Sequence, residues 1–129
     1  MNMPSSVTLK LAAAALAGAA IGFPGLAAAG ACLLEGNVVL GDKSLPVRDC
    51  LENHGVPESN FRGLCEQIQK IGQATGVSKL TYLDACPSGS RGSCSVFFSA
   101  PVAGYYYLRT DKDLERTKAA CIKQGGVWK

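Results

Sequence analysis

The stretch "CPSGSRGSC", residues 86–94, holds seven small or polar residues between two cysteines. A metal clip, a redox pair and the closed end of a β-hairpin all contain such a pattern. Zinc sites usually use close ligand pairs such as C-x2-C, and a thioredoxin-like redox site needs C-x-x-C at the start of a helix. Neither spacing occurs among the six cysteines of the chain. The stretch therefore predicts a hairpin closed by a disulfide between Cys86 and Cys94, and no metal site.

Both flanks of this loop have the composition of β-strands. The segment "KLTYLDAC", residues 79–86, precedes the loop, and "CSVFFSA", residues 94–100, follows it. Both are enriched in branched and aromatic residues, as is typical of strands. A Tyr-rich run at 104–109 comes after the turn-forming "PVAG". The sequence thus predicts three consecutive strands that form an antiparallel meander.

The clearest helical pattern begins at Glu58 and continues to about Ala74. Its apolar residues recur at the spacing of one helix face, at Phe61, Leu64, Cys65, Ile68 and Ile71. Another helix is predicted before it, over residues 46–54. Pro46 suits the first position of a helix, and Gly55 suits the position just past a helix end.

The C-terminal segment predicts a third helix. Thr110 and Asp113 have the spacing of a capping box, and Gly125 or Gly126 can end the helix. A short strand is also predicted at 37–40, "NVVL". The expected fold class is therefore α+β, with two N-terminal helices and one C-terminal helix on one face of the three-stranded antiparallel meander. A meander of this size needs such a cover to be stable.

The remaining cysteines predict two further disulfides, because an even cysteine count in a short exported chain is typical of a disulfide framework. A bond between Cys50 and Cys65 would join the two N-terminal helices. Cys32 is then left to pair with Cys121. Three arrangements stay open once the loop pair is accepted, and this is the one we expect. Each bond contributes about 2–4 kcal/mol, mainly by restricting the unfolded chain.

Residues 1–29 have the pattern of a secretory signal peptide. Lys10 precedes the uncharged apolar run "LAAAALAGAAIGF", and small residues with A-x-A spacing follow it. The apolar run is shorter than the roughly 20 residues that span a bilayer. We expect cleavage after Ala29, which leaves residues 30–129 as a single disulfide-stapled domain without a transmembrane span.

Two other forms of processing also fit this segment. Cleavage after Ala31 satisfies the same A-x-A rule, and "AGAC" resembles a lipobox that would place a lipid anchor on Cys32. Lipidation would leave five cysteines and therefore one thiol without a partner. The even cysteine count favours an unmodified Cys32.

The charge balance of the chain is mild, with 13 Lys and Arg residues against 10 Asp and Glu residues. So small an excess gives no electrostatic case for binding nucleic acid or an anionic membrane. We expect the partner to be a protein or another component of the cell envelope. The expected location is the periplasm or the outside of the cell.

His54 is the one histidine of the chain. It would serve as a general base if Asp49 or Glu52 oriented it. In the last turn of the predicted helix, however, a cation is favoured for structural reasons, and we prefer that role. The sequence has no nucleophile elbow, phosphate loop or paired-carboxylate pattern. It therefore predicts a protein that is not an enzyme and that uses no cofactor.

The run "YYY", residues 105–107, suggests a binding surface. Alternate residues of a strand point to opposite faces, so this run and Phe97–Phe98 place aromatic rings on both faces of the sheet. The face without helices would carry an aromatic patch that suits a protein or sugar partner, although aromatics also pack across strands without binding anything. The residues predicted for this surface are Arg91, Tyr105, Tyr106, Tyr107 and Arg109.

The C-terminal half carries a set of short motifs. "AACIKQGGVWK" gives C-x3-GG-x-W, and "YLDACPSG" and "YYYL" lie upstream of it. Together they resemble small exported Cys-rich bacterial proteins of uncharacterised function. The resemblance covers about residues 80–129. It implies a periplasmic or secreted location, and no activity or catalytic residue follows from it.

These observations predict an exported, non-enzymatic binding domain. A first alternative is an inhibitor that inserts residues 87–93 into the cleft of a secreted or envelope enzyme, with Arg91 as the anchor. A disulfide-closed loop suits that role because it loses little entropy on binding. A second alternative is a small periplasmic hydrolase.

Overall fold

In the computed structural model, residues 30–96 and 99–129 are described, and they form a six-stranded antiparallel sheet with two helices. The strands are β1 (Ala31–Leu40), β2 (Lys43–Asn53), β3 (Val77–Leu83), β4 (Gly92–Ser95), β5 (Val102–Tyr106) and β6 (Val127–Trp128). The helices are α1 (Glu58–Gln73) and α2 (Asp111–Lys123). The strand order across the sheet is β3-β1-β2-β5-β4-β6.

Two predictions concern residues outside these ranges. The predicted signal peptide, residues 1–29, and the aromatic pair Phe97–Phe98 are not among the described residues. Within the described ranges, neither helix is long and apolar enough to cross a membrane.

A long hairpin of β1 and β2 forms the middle of the sheet. The two strands pair along their whole length, from Ala31 opposite Glu52 to Leu40 opposite Lys43. The turn between them contains Gly41, with a φ of 65°. Tight hairpin turns need this left-handed conformation, and glycine adopts it without strain.

The helix predicted over residues 46–54 is wrong, because all but the last of these residues belong to β2. Leu45, Val47 and Leu51 differ in sequence position by even numbers, so their side chains share one face of the strand. Pro46 is tolerated because no strand pairs with the outer edge of β2 at this position in the described part of the chain. Pairing with β1 along ten residue pairs outweighs the local preference.

The three-stranded meander and its three-helix cover are also wrong. β3 pairs with β1 rather than with β4, and three strands lie between β3 and β4. β4 pairs with β5 and β6 instead. The prediction lacks the central hairpin, because it assigns one half of that hairpin to a short strand and the other half to a helix.

Both helices lie on the same face of the sheet. One row of directly opposed residues crosses four neighbouring strands, at Cys32, Leu51, Gly104 and Cys94. Opposed residues on antiparallel strands point to the same side. Disulfides join Cys32 to α1 and Cys94 to α2. We call this side the helical face and the opposite side the loop face.

All six cysteines form disulfides, as predicted, but the pairs differ. The bonds are Cys32–Cys65, Cys50–Cys86 and Cys94–Cys121. The predicted pairs Cys86–Cys94, Cys50–Cys65 and Cys32–Cys121 are therefore wrong. Cys94 points to the helical face, whereas Cys86 bonds to Cys50 on the loop face, since neighbours along a strand alternate. The sheet lies between the two sulfur atoms that the loop pattern predicts to be bonded.

Helix α1 confirms the helical pattern that begins at Glu58. Phe61 and Cys65 are fully buried, and they share a core cluster with Cys32, Leu51 and Val102. Burial decreases along the same stripe toward the end of the helix, where Ile71 is 67% exposed. The helix is therefore anchored at its start and leaves apolar surface uncovered near its end.

This gradient predicts that substitutions at the two ends of the stripe differ in cost. Phe61→Ala should lower the free energy of unfolding by about 3–5 kcal/mol, because it leaves a cavity in the core. Ile71→Ala should change it by no more than about 0.5 kcal/mol, because the side chain is largely in solvent. Urea unfolding followed by circular dichroism measures both values, and equal costs would contradict the packing described here.

Candidate functional site

A groove opens where β2 loses its neighbour on one side. β5 pairs with residues 49–53 of β2, and the last link is the N–H of Tyr107, which donates to the carbonyl of Arg48 at 3.1 Å. The chain then turns away toward α2. In the described part of the chain, residues 43–47 therefore have no strand on that side, and a groove lies between them and the start of α2.

We call this space the arm groove. Its volume is about 490 Å³, and its apolar lining includes Val38, Leu40, Leu45, Val47, Val77 and Leu108. The first four side chains lie on the helical face, since they continue the alternation of Cys32 and Leu51. Ligand pockets typically have volumes of roughly 300–1,000 Å³ and a mostly apolar lining with a few polar groups. The arm groove has both properties.

The polar groups of the groove centre on an ion pair between Asp49 and Arg109. The Arg109 Nη2 donates to Asp49 Oδ2 at 2.8 Å, and Nη1 donates to the Thr117 hydroxyl at 3.0 Å. The guanidinium carbon also lies 4.6 Å from the centre of the Tyr106 ring. One side chain thus contacts β2, β5 and α2, and it fixes the position of α2 relative to the hairpin.

The ion pair with Arg109 satisfies only one of the two carboxyl oxygens of Asp49. Its Oδ1 is buried and has no hydrogen-bond partner among the described residues. Burial raises the pKa of Asp49, and the charge and hydrogen bond of Arg109 lower it without cancelling the effect of burial. A raised pKa means that the folded state disfavours the ionised form, so this group contributes less to stability as the pH rises through its folded-state pKa.

The start of α2 forms the other wall of the groove. Thr110 caps the helix, because its hydroxyl oxygen accepts a hydrogen bond from the Asp113 N–H at 3.3 Å. The same hydroxyl donates to Asp113 Oδ2 at 3.0 Å. The predicted capping pair is therefore confirmed, and it places the Asp113 carboxylate at the groove.

The structure separates the three tyrosines that the sequence groups together. Tyr106 is 7% exposed and Tyr107 8% exposed, whereas Tyr105 is half-buried. Tyr106 packs near α2 with Cys94 and Cys121. The Tyr107 hydroxyl donates to the Pro87 carbonyl on the loop face. Tyr106 and Tyr107 therefore lie in the interior and form no exposed aromatic patch.

The two predicted arginines also have internal partners. Arg91 donates to the carbonyl of Arg109 and to the carboxylate of Asp111, so its side chain folds onto the start of α2. The loop of residues 87–93 is not closed by its own disulfide. Its two ends are bonded to β2 and to α2 through different cysteines.

His54 lies just past the end of β2 rather than in a helix. Its Nε2 is 2.9 Å from Glu52 Oε1, and Glu52 Oε2 accepts a hydrogen bond from the Cys86 N–H at 2.9 Å. Burial raises the pKa of Glu52, but the hydrogen bonds from Cys86 and His54 outweigh it, so the pKa lies below its usual value. This pair holds the loop that begins at Cys86, and its histidine bonds no hydroxyl or thiol side chain within the described ranges.

Sequence reasoning missed the residues that line the groove. It treated Asp49 only as a partner for His54, and it placed Leu45 and Val47 in or beside a helix. The alternation of apolar side chains in "LPVRDCLEN" is the signal that indicates a strand here. No local signal shows that β5 leaves β2 at this point, because that depends on the order of the strands.

Comparisons of the chain with known protein families, with curated proteins and with solved structures find no match. The resemblance to small exported Cys-rich bacterial proteins therefore stays a prediction. Within residues 30–96 and 99–129, no group of three or more His, Cys, Asp or Glu side chains is arranged to hold a metal ion.

The geometry of the ion pair predicts how Asp49 titrates. Arg109→Gln removes the positive charge that lowers the pKa of Asp49, so that pKa should rise further. The shift is measurable by NMR from the side-chain carboxyl carbon of Asp49. The control is Arg116→Gln, because Arg116 pairs with Asp113 at 3.6 Å and not with Asp49. An unchanged titration of Asp49 in Arg109→Gln would show that the pair does not form.

Proposed function

We propose that this protein is an exported, non-enzymatic binding domain that holds an apolar helical segment of a partner protein in the arm groove. The observation that carries the proposal is the groove itself, an apolar trough of about 490 Å³ with an ion pair at its floor. A concave apolar surface with a few convergent polar groups is the usual form of a binding site.

Exposed apolar side chains around the groove support binding. The loop after α1 pairs with β1, since the N–H of Asn37 donates to Gly76 and that of Val39 donates to Thr75. The uncovered end of α1 therefore lies beside the end of the hairpin. Exposed large apolar side chains in this region are Leu40, Ile71 and Leu108, whereas Val39 points to the loop face. Exposed apolar side chains beside a groove are typical of interaction sites.

The disulfides support both the rigidity of the site and its location. They bond α1, α2 and the loop after β3 to the sheet, so the wall formed by α2 loses little freedom when a partner binds. Disulfides persist in oxidising compartments. This favours the periplasm or the outside of the cell, in agreement with the predicted signal peptide.

The charge of the lining favours a protein over a membrane surface. Asp49 and Asp113 line the groove together with Arg109, so carboxylates outnumber the cation. Lipid surfaces that attract proteins electrostatically are anionic and attract basic segments. An acidic lining is unsuited to them.

Pro46 disfavours a partner that adds as a β-strand. The Arg48 carbonyl points toward β5, and backbone groups alternate along a strand, so the backbone of Pro46 points to the same open edge. Proline has no N–H and removes a donor that an added strand would need. An amphipathic helix needs no such donor and places its apolar face in a groove.

The two alternatives have less support. An inhibitory loop needs a projecting anchor, but Arg91 is bonded to Arg109 and Asp111. A hydrolase with a covalent intermediate needs a hydroxyl or thiol beside its base, and the hydrogen-bond partner of His54 is Glu52. Neither the loop nor His54 lines the arm groove.

A direct test uses an Ala- and Gln-based helical peptide with leucines at i, i+3, i+4 and i+7, the spacing of groove-binding helices. Titrated into the oxidised protein, it should shift backbone amide NMR signals of residues around the groove. Leu40→Ser should weaken this binding about fivefold, since the loss of one apolar contact is worth about 1 kcal/mol.

The matched control is Ile122→Ser. Ile122 is 57% exposed and Leu40 is 59% exposed, but Ile122 does not line the groove. Both substitutions remove an exposed apolar side chain and should leave stability within about 0.5 kcal/mol of wild type. Equal weakening by the two variants, or shifts confined to other surfaces, would contradict the proposal.

A further inference from the structure

The negative charge of the arm groove lies at one end. The apolar side chains of Val38, Leu40 and Leu45 line the end formed by the hairpin, while Asp49 and Asp113 line the end next to α2. Arg109 lines the groove together with these two acids and hydrogen-bonds to Asp49. Its other side-chain hydrogen bond goes to the Thr117 hydroxyl, and the ion pair of Asp113 is with Arg116.

Asp113 keeps most of its charge available to the groove. Its Oδ2 accepts a hydrogen bond from the neutral Thr110 hydroxyl, and its Oδ1 lies 3.6 Å from an Arg116 side chain that is largely exposed. Exposed ion pairs of this length are weak. The dipole of α2 adds only about half a positive charge at this end of the helix. Arg109 compensates the charge of Asp49, so the dipole and the weak Arg116 pair leave part of the Asp113 charge uncompensated at this end.

Asp49 adds a second carboxylate with less water around it, and Arg109 pairs with only one of its two oxygens. A fifth of the Asp49 side chain is exposed, and the rest lies beneath the groove with one oxygen that receives no hydrogen bond from any described residue. Charges with little water around them interact more strongly than surface charges. A positive group that enters this end of the groove would therefore be attracted by the charge of Asp113 and by the Asp49 oxygen that Arg109 does not bond.

We infer that the segment bound by the arm groove carries a lysine or arginine next to its apolar face, positioned over Asp49 and Asp113. This inference rests on the proposed function and narrows its partner to a helix with an apolar stripe and one basic residue at the end near α2. Neutral and acidic segments with the same stripe bind more weakly. Arginine and lysine both donate N–H groups to carboxylates, so the groove accepts either.

The test compares three forms of the helical peptide that differ at one position beside the leucine stripe, where Gln is replaced by Lys or by Glu. The Lys peptide should bind about fivefold more tightly than the Gln peptide, and the Glu peptide more weakly than both. The preference should shrink in high salt, because salt screens exposed charges. Binding of the Gln peptide should change little with salt.

Two variants of the protein identify the carboxylates responsible. Asp49→Asn and Asp113→Asn should each reduce the ratio of Lys-peptide to Glu-peptide affinity. Asp113→Asn keeps the test valid if Asp49→Asn fails to fold, because Asp113 is partly exposed at the helix start. The control is Glu66→Gln, which removes the same charge from an exposed position on α1 outside the groove.

The outcomes separate the two proposals. If the three peptides bind equally well at the groove, the inference about charge is wrong and the proposed function stands. A preference for Lys that persists unchanged in both Asn variants also overturns the inference. If none of the peptides binds, the groove is not a site for helical segments and the proposed function is wrong.

Discussion

In the described part of the chain, both helices and the loop after β3 are bonded by disulfides to strands of the sheet. Cys65 ties α1 to β1, Cys86 ties the loop after β3 to β2, and Cys121 ties α2 to β4. A chain segment of about 100 residues buries a small core and has little stability to spare. The disulfides add to the stability of the folded state by lowering the entropy of the unfolded chain. They also fix which face of the sheet each helix covers, and so they determine where the arm groove lies.

The groove lies on a part of the helical face that neither helix covers, between the open edge of β2 and the start of α2. α1 covers the side of β1 and β3, where Phe61 and Cys65 pack. α2 covers β4 and β5, where Cys121 packs on Cys94 and Tyr106. Arg109 fixes the position of α2 relative to the hairpin through its bonds to Asp49 on β2 and Thr117 on α2. The same contact leaves a partly compensated carboxylate at the floor, a feature that structural packing alone does not require.

Local patterns in the sequence identify the two helices but not the central hairpin. The stripe from Phe61 to Ile68 and the Thr110 cap depend on neighbours within a few residues, so they are readable before the fold is known. Val47 and Leu51 are four positions apart, and residues with that spacing lie on the same face in a helix and in a strand alike. Pro46 likewise suits either a helix start or a strand edge.

The disulfide pairs and the groove depend on strand order, which no short motif determines. Cys86 and Cys94 are close in sequence, yet their bonds lie on opposite faces of the sheet. The tyrosine run predicts aromatics on both faces, and the structure places Tyr106 and Tyr107 on opposite faces, but both are buried. Aromatic side chains in strands serve packing at least as often as binding. The groove arises where β5 departs from β2, and its lining comes from segments far apart in the chain.

The disulfide connectivity tests this account most directly, because trypsin cleaves between every pair of successive cysteines in the chain. Digestion of the unreduced protein followed by mass spectrometry identifies each bonded pair of peptides. The account predicts that peptide 80–91, which contains Cys86, is linked to peptide 49–62, which contains Cys50. A link between peptides 80–91 and 92–109 would join Cys86 to Cys94. That result would contradict the sheet order, the placement of α2 and the groove that depends on both.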